Sequence, residues 1–259
     1  MNRINQLFET KAQNILSVYF TAGFPNLNDT VQIIKELENN GVDLIEIGIP
    51  FSDPTADGPT IQRSSEKALK NGMNLKLLFD QLKDIRRSVN IPLILMGYIN
   101  PVYQFGFEQF CKKCTEIGID GTILPDLPLS EYEMNYQEMF EKHGLHNILL
   151  ITPQTSGSRI NQIDEVSKGF IYMVSSASTT GAGKKVEDFH RDYFERIQDM
   201  GLKNPRLIGF GISDHDTFNN ACKYANGAII GSAFVNAIND QKDLAKSIAD
   251  FVNRIRNGD

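Results

Sequence analysis

The sequence predicts an α/β protein, a single (β/α)8 TIM barrel over residues 1–259 with an extra helix at the N-terminus. Eight short apolar runs alternate with amphipathic helical stretches at the spacing of βα units. Most runs are apolar on both faces, which is typical of parallel strands covered by helices. Because no glycine-rich dinucleotide turn follows an early run, a doubly wound sheet is disfavoured.

The strands are predicted from β-branched runs that end in Gly, Pro or polar residues. In chain order they are Ile15–Phe20, Leu44–Gly48, Leu93–Tyr98, Gly121–Pro125, Asn147–Thr152, Phe170–Ser175, Arg206–Gly211 and Ala228–Ser232. Helical periodicity fills the segments between them, and several of these helices close on glycine. The predicted helices are Asp29–Asn39, Thr60–Asn71 with a further turn to Val89, Phe107–Ile117, Leu129–Lys142, Arg159–Val166, Glu187–Met200, Asp214–Tyr224 and Phe234–Arg256. The segment Asn2–Lys11 is the extra helix, expected to cap the bottom of the barrel.

The charge pattern disfavours nucleic acid and membrane surfaces as partners. The net charge is −6 and the basic residues are scattered. No window approaches the length of a membrane span. The odd cysteine count fits a reducing compartment, so a cytoplasmic protein is expected. We interpret Cys111 and Cys114 as two thiols on one helix, one buried and one partly exposed, and not as a redox or metal pair.

The most informative stretch is Leu44–Gln62, which places two acids at the mouth of the second strand. Glu46 interrupts an apolar run, and Asp57 follows in a Pro/Asp/Gly loop. Burying a carboxylate costs several kcal/mol unless the group is paired, protonated or used. In a barrel, chemistry occurs at the C-terminal ends of the strands, so these acids are candidates for acid–base catalysis.

The other strand ends limit the chemistry. They carry no lysine for a Schiff base and no nucleophile paired with histidine. The four histidines fall in helices or connecting segments, so no metal site is expected. For Asp126, loop capping is favoured over catalysis. A carbon–carbon cleavage by carboxylates alone needs a substrate with its own electron sink, and the apolar side chains at the mouth favour an aromatic one.

Glycine-bearing loops follow the last three strands and predict a phosphate site. They are Ser178–Gly183, Gly209–Ser213 and Gly231-Ser232. Glycine lets an anion approach backbone N–H groups, and barrels often bind phosphate after strands 7 and 8. The Ser175–Lys185 loop is either an ordinary surface loop or a lid over the substrate.

These motifs together resemble the tryptophan synthase alpha chain family. The resemblance rests on the segment Glu46–Pro59 and runs the whole length of the chain. Its other motifs are Tyr19–Gly23, Met96–Pro101, Pro125–Pro128, Tyr172–Gly181, Gly209–Ser213 and Gly231–Ala233. It implies a lyase that splits indole-3-glycerol phosphate into indole and glyceraldehyde 3-phosphate.

By this resemblance, Glu46 is the acid–base group that protonates indole C3, and Asp57 hydrogen-bonds the indole N–H. Tyr172 helps to place Glu46 and the substrate. The phosphate is implied to bind at Gly181, Phe210, Gly211, Gly231 and Ser232. The indole pocket or closed lid is implied to include Tyr19, Phe20, Met96, Ile123, Ile151 and Thr180.

The resemblance also implies a partner, the tryptophan synthase beta chain, in an alpha2beta2 complex. That beta chain carries pyridoxal phosphate, and no cofactor is expected in this chain. The implied interface comprises the loops Phe51–Pro59, Asn100–Gly106 and Leu127–Glu131. Ser176 and Ser178 stand where some relatives carry arginine and glycine, which bears on the stability of the lid and not on the reaction class.

Three alternatives remain. One is another phosphosugar barrel, but phosphoribosylanthranilate isomerase needs a strand-1 cysteine and indoleglycerol-phosphate synthase uses strand-end lysines, both missing here. A second is a free-standing lyase without a beta chain. A third is a partner-activating subunit with negligible turnover, against which the intact Glu46 and Asp57 count.

Overall fold

The computed structural model describes residues 1–175, 186–209 and 211–258, with the backbone alone over 186–190. Its strands are parallel, and their order around the sheet is β5-β4-β3-β2-β1-β9-β8-β7-β6. The strands are β1 Ile15–Thr21, β2 Leu44–Gly48, β3 Leu93–Met96, β4 Gly121–Ile123, β5 His146–Asn147, β6 Leu149–Ile151, β7 Ile171–Val174, β8 Arg206–Gly209 and β9 Gly227–Ile230.

The strands at the two ends of this order, β5 and β6, are separated in the chain only by Ile148, whose amide donates to the carbonyl of Thr122 at 2.8 Å. The two short strands are therefore one interrupted strand, and the sheet closes on itself. The prediction of a (β/α)8 barrel is confirmed, and the fifth predicted strand is the one that breaks in two.

Helices surround the barrel. They are α1 Arg3–Thr10, α2 Thr30–Asn39, α3 Pro59–Lys70, α4 Leu75–Leu82, α5 Ile99–Phe105, α6 Phe107–Ile117, α7 Leu129–Glu131, α8 Gln137–Lys142, α9 Gly157–Val166, α10 Val186–Asp199, α11 His215–Cys222, α12 Ser232–Ile238 and α13 Leu244–Asn257. A 3-10 turn covers Ile85–Arg87, and a π-helical turn, Tyr132–Tyr136, joins α7 to α8.

Three helical segments differ from the prediction. The further turn predicted up to Val89 is a separate helix, α4, followed by a 3-10 turn. Helix α5 was not predicted, because Pro101 in its first turn resembles a loop residue although proline is tolerated there. The single predicted helix Phe234–Arg256 is wrong: α12 ends at Ile238, Asp240 has a φ of 55°, and Asp243 caps α13. A left-handed residue cannot continue an α-helix, so the chain breaks and restarts there.

The extra helix α1 caps the bottom of the barrel, as predicted. Ile4 is fully buried and belongs to an inner cluster with Ile15, Leu44 and Phe170. The ring of Phe8 lies 5.8 Å from that of Phe170. The side chain of Asn2 caps α1 by accepting from the amide of Ile4. The inner cluster thus fills the lower barrel and leaves the upper end for the site.

A buried ion-pair network ties α1 to the bottom of the barrel. Asp120, which precedes β4, is 3% exposed and accepts from Arg3 at 3.0 Å and from the amide of Leu93 at 2.9 Å. Arg86 donates to the second carboxylate oxygen and to the carbonyls of Gly118 and Ile91. Each charge in this network is paired, which offsets the cost of its burial.

The cysteine interpretation needs one correction. Cys111 and Cys114 lie on α6 as predicted, but both are fully buried, because both positions lie on the face of α6 that packs on the core. Burial raises the pKa of the Cys111 thiol to about 12. In the described residues, no three His, Cys, Asp or Glu side chains are grouped to hold a metal ion. None of the described helices combines the length and the apolar composition of a membrane span.

Candidate active site

The upper end of the barrel holds a cavity to which the first two strands contribute inward-facing side chains. Tyr19 on β1 and Glu46 on β2 are register partners, so their side chains lie side by side on one face of the sheet. The described residues that line the cavity are Tyr19, Glu46, Asp57, Gly58, Ile61, Met96, Tyr172, Gly211, Ile212, Ile229, Gly231 and Ser232. Its volume of about 130 Å³ is close to that of a protein cavity that binds benzene, about 150 Å³.

Glu46 is fully buried and has one protein partner. The hydroxyl of Ser17 donates to Oε1 at 2.8 Å. Oε2 is buried and has no hydrogen-bond partner among the described residues. Loss of solvation raises the pKa of Glu46 to about 8, and the Ser17 hydrogen bond partly opposes this rise. At neutral pH the group is therefore mainly a protonated acid inside the cavity.

Asp57 is held by the next strand. The hydroxyl of Tyr98, two residues beyond β3, donates to Oδ2 of Asp57 at 3.1 Å. The same hydroxyl oxygen accepts from the amide of Ala56 at 2.9 Å, so one phenol fixes both the acid and its loop. Partial burial raises the pKa of Asp57, and the Tyr98 hydrogen bond lowers it. Asp57 is half-buried, in contrast to Glu46.

Two tyrosines flank the acids, and each lies over a glycine. A Cβ atom at Gly48 would overlap the phenol of Tyr19, and one at Gly209 would overlap the phenol of Tyr172. Only glycine therefore lets these rings lie against the neighbouring strands. Burial raises the pKa of both phenols well above the ordinary value, and the nearby charges of Glu46 and Asp57 add to the rise.

The part of the cavity that follows β8 and β9 is formed largely by backbone. Gly211, Gly231 and Ser232 line it, and Ser232 begins α12. Gly211 has a φ of 75°, a left-handed conformation that favours glycine. In the described part of the chain, no Lys, Arg or His lines the cavity. An anion bound here would therefore meet N–H groups and a hydroxyl.

The structure brings most of the sequence-predicted residues to one cavity. Glu46, Asp57, Tyr19, Met96, Tyr172, Gly211, Gly231 and Ser232 all line it. Phe20 and Ile151 are buried but belong to the outer cluster between strands and helices, because their inward neighbours are Tyr19 and Leu150. Ile123 belongs to the inner cluster and is not among the lining residues.

Some predictions fall outside the described residues. The lid interpretation of the Ser175–Lys185 loop concerns such residues beyond Ser175. So do the two departures from the family pattern, Ser176 and Ser178, and three predicted site residues, Thr180, Gly181 and Phe210. The loop-capping interpretation of Asp126 agrees with its contact, since Oδ1 accepts from the amide of Ile99 at the start of α5.

Sequence reasoning missed Ser17, the hydrogen-bonding role of Tyr98 and four wall residues, Gly58, Ile61, Ile212 and Ile229. Ser17 carried a usable signal. It lies two residues before Tyr19 on a mainly apolar strand, so a period of two places its hydroxyl inside the barrel. The register that sets it beside Glu46 is not readable from the sequence.

The fold and the cavity define a class: a (β/α)8 barrel enzyme with two carboxyl groups and a backbone-lined anion end at its C-terminal mouth. The family model of the tryptophan synthase alpha chain matches residues 6–257. The chain belongs to this family. Its activity is that of a lyase in tryptophan biosynthesis, the retro-aldol cleavage of indole-3-glycerol phosphate to indole and glyceraldehyde 3-phosphate.

Similar proteins span the whole chain. A tryptophan synthase alpha chain of Flavobacterium psychrophilum is 61% identical over 98% of this chain and 100% of its own length. One of Bacteroides thetaiotaomicron is 55% identical over 96% and 97%. Among solved structures, the alpha subunit of Legionella pneumophila strain Paris has a TM-score of 0.89 at 33% identity, with 100% of this chain and 98% of that chain covered. Aminoacrylate-bound tryptophan synthase of M. tuberculosis has a TM-score of 0.86 at 26% identity, with 100% and 99% covered.

Proposed function

We propose that Glu46 and Asp57 carry out the acid–base steps of this cleavage inside the cavity at the barrel mouth. One observation carries the proposal. A buried carboxyl with an unpartnered oxygen shares a cavity with a second, half-buried carboxyl and with the backbone at Gly211 and Gly231. Paired acids with different environments are suited to different proton-transfer roles.

Glu46 acts first as an acid. Its raised pKa keeps the proton available at neutral pH, and the proton is transferred to C3 of the indole ring. The resulting carboxylate accepts the proton of the side-chain hydroxyl next to C3. The carbon–carbon bond then breaks, its electron pair returns to the ring, and an aldehyde and neutral indole are released. Glu46 ends the cycle protonated.

Asp57 acts on the other end of the ring system. Protonation at C3 places positive charge on the indole nitrogen, and an ionised carboxylate that accepts from this N–H stabilises the charge. Tyr98 supports the role because its hydrogen bond favours the ionised form of Asp57. The ring occupies the apolar part of the cavity between Tyr19, Met96 and Tyr172. This position of the ring does not depend on contacts with Phe20, Ile123, Ile151 or Thr180, which the family resemblance implied as pocket or lid residues.

The phosphate binds where the segments after β8 and β9 line the cavity. Gly211, Gly231 and Ser232 supply N–H groups and a hydroxyl, and the expected contributions of Gly181 and Phe210 complete the set. This arrangement suits a dianion in a protein of net charge −6, since it uses backbone dipoles in place of lysine or arginine.

The partner is a tryptophan synthase beta chain in an alpha2beta2 complex. The beta chain carries pyridoxal phosphate, while this chain is a single cytoplasmic domain over residues 1–259 and uses no cofactor of its own. The interface comprises the segments Phe51–Pro59, Asn100–Gly106 and Leu127–Glu131, which include α7 and most of α5.

An indole-release assay on the purified chain, with and without a beta chain, tests the proposal. Glu46→Gln and Asp57→Asn are each expected to slow release by about 10²- to 10⁴-fold, the usual contribution of a general acid or base. The matched control is Glu116→Gln, which removes an exposed carboxyl on α6. Near-wild-type release by either site variant would contradict the assignment, and no acceleration by the beta chain would favour a free-standing lyase.

A further inference from the structure

Ser17 makes the single hydrogen bond found on the carboxyl of Glu46 among the described residues. Both residues are fully buried. Strand register places Ser17 opposite Leu44, two residues before Glu46, so both side chains point into the barrel and meet diagonally across β1 and β2. The 2.8 Å contact therefore follows from the sheet geometry.

The two carboxyl oxygens have different surroundings. Oε1 accepts from the Ser17 hydroxyl, whereas Oε2 is buried without a partner among the described residues. We propose that Ser17 is a positioning residue for Glu46: its hydroxyl holds Oε1 and leaves Oε2 as the oxygen that carries and transfers the proton. This inference rests on the proposed role of Glu46 as the catalytic acid.

A hydroxyl suits both protonation states of the carboxyl. When Glu46 is ionised, Ser17 donates to Oε1 and stabilises the anion. When Glu46 is protonated, Oε1 still accepts from Ser17, so the proton resides on Oε2. Alanine would supply no donor, and both oxygens would become equivalent. Ser17 thereby selects the protonated oxygen and limits the rotation of the carboxyl group about its terminal bond.

Other titratable groups also face Glu46. They are Tyr19 on β1, Tyr172 on β7 and Asp57 on the loop that follows β2, and the hydroxyl of Tyr98 donates to Asp57. The phenols have pKa values raised above their ordinary value and stay neutral near pH 8. Asp57 is a second carboxyl in the same cavity, so the pKa of Glu46 must be measured at its own carbon.

The experiment is a titration of the full chain labelled with carbon-13 at the glutamate carboxyl, with the Glu46 signal assigned by its loss in Glu46→Gln. A hydrogen bond to an ionised carboxylate is stronger than one to a neutral carboxyl, so Ser17→Ala is expected to raise the pKa of Glu46 by about 1. Ser17→Thr keeps the hydroxyl and is expected to restore the wild-type pKa. Ser17→Cys, close in size with a weak donor, serves if the alanine variant does not fold.

The pH dependence of kcat for indole release is measured in parallel. The acid must be protonated, so kcat falls as pH rises through the pKa of Glu46, and Ser17→Ala moves this alkaline limb to higher pH. The control is Thr122→Val, which deletes a buried hydroxyl bonded to Asn147 on another strand pair and is expected to leave the limb in place.

Each outcome has a distinct meaning. A shifted pKa with a shifted limb, both restored by threonine, supports the proposal. An unchanged pKa in Ser17→Ala overturns it and leaves Glu46 as the acid. A pKa that shifts while the kinetic limb stays fixed supports the contact but contradicts the proposed function of Glu46. A uniform loss of kcat at unchanged pKa would assign Ser17 a purely structural role and also overturn it.

Discussion

The phenol of Tyr98 donates to Oδ2 of Asp57 at 3.1 Å and accepts from the amide of Ala56 at 2.9 Å. One side chain from the end of β3 thus fixes both the acid and the backbone of the loop that follows β2. Its ring also packs against Phe51, with centroids 5.2 Å apart, so the start and the end of this loop are held by the same residue.

Removal of this hydroxyl is expected to weaken catalysis without unfolding the barrel. Tyr98→Phe keeps the ring contact with Phe51 but removes a hydrogen bond to a charged acceptor, worth about 1.5–3 kcal/mol. We expect kcat/KM for indole release by the isolated chain to fall at least roughly 10-fold. Tyr136→Phe, which keeps the ring stacked on Phe107 away from the cavity, is the control. An unchanged kcat/KM would mean that Tyr98 does not support Asp57.

Glu46 is expected to make stability depend on pH in an unusual direction. Its pKa is about 8 in the folded chain against an ordinary value of 4.5, so between these values the folded state binds more protons than the unfolded state. Glu46 makes its full contribution to the free energy of unfolding below pH 4.5, where it is protonated in both states. This contribution is lost as pH rises through 8. Above that range the ionised, buried carboxyl costs on the order of 5 kcal/mol.

Glu46→Gln removes this dependence. In urea unfolding at several pH values, the free energy of unfolding of the variant is expected to rise relative to that of the wild type as the pH increases across this range. Glu116→Gln, at an exposed carboxyl, should run parallel to the wild type. If the difference between Glu46→Gln and the wild type stayed constant with pH, Glu46 would not be the buried acid described here.

The barrel fold could be predicted from the sequence because its strands are apolar on both faces and recur at regular spacing. The ends of the helices were harder to predict. Asn239 to Asp243 contains neither Gly nor Pro, and the helical run ends because Asn239 is extended and Asp240 is left-handed. Asp favours this conformation through local hydrogen bonding of its short side chain, a weak signal in the sequence.

A site residue could be predicted where the sequence of its own strand was enough to place it. Glu46 stands out as a carboxyl in an apolar strand, and the strand-end rule places it at the mouth of the barrel. Ser17 was missed since its role depends on the register between β1 and β2. Phe20 and Ile151 point to the outer layer because strand side chains alternate, and the predicted pocket included both faces of β1.

The network at Asp120 is expected to govern stability and not activity. Asp120→Asn keeps the size of the side chain but removes the charge that faces Arg3 and Arg86, and leaves a buried guanidinium unpaired. Breaking a buried pair costs about 3–5 kcal/mol. Urea unfolding should show this loss, while kcat per folded molecule stays at the wild-type value because the cavity lies at the other end. A loss below about 1 kcal/mol, the range of surface pairs, would contradict it.

Gly209 is expected to be essential for the placement of Tyr172. In Gly209→Ala the new methyl group overlaps the Tyr172 phenol, which must move into the cavity or push β7 away from β8. Substrate binding should weaken together with turnover, so KM is expected to rise and kcat to fall, with a stability loss of about 1–3 kcal/mol from overpacking. Gly157→Ala is the matched control, because a Cβ there meets nothing within 4 Å at the start of α9. That variant should keep wild-type kinetics, and equal kinetics in the Gly209 variant would show that the position of the Tyr172 ring does not matter for the reaction.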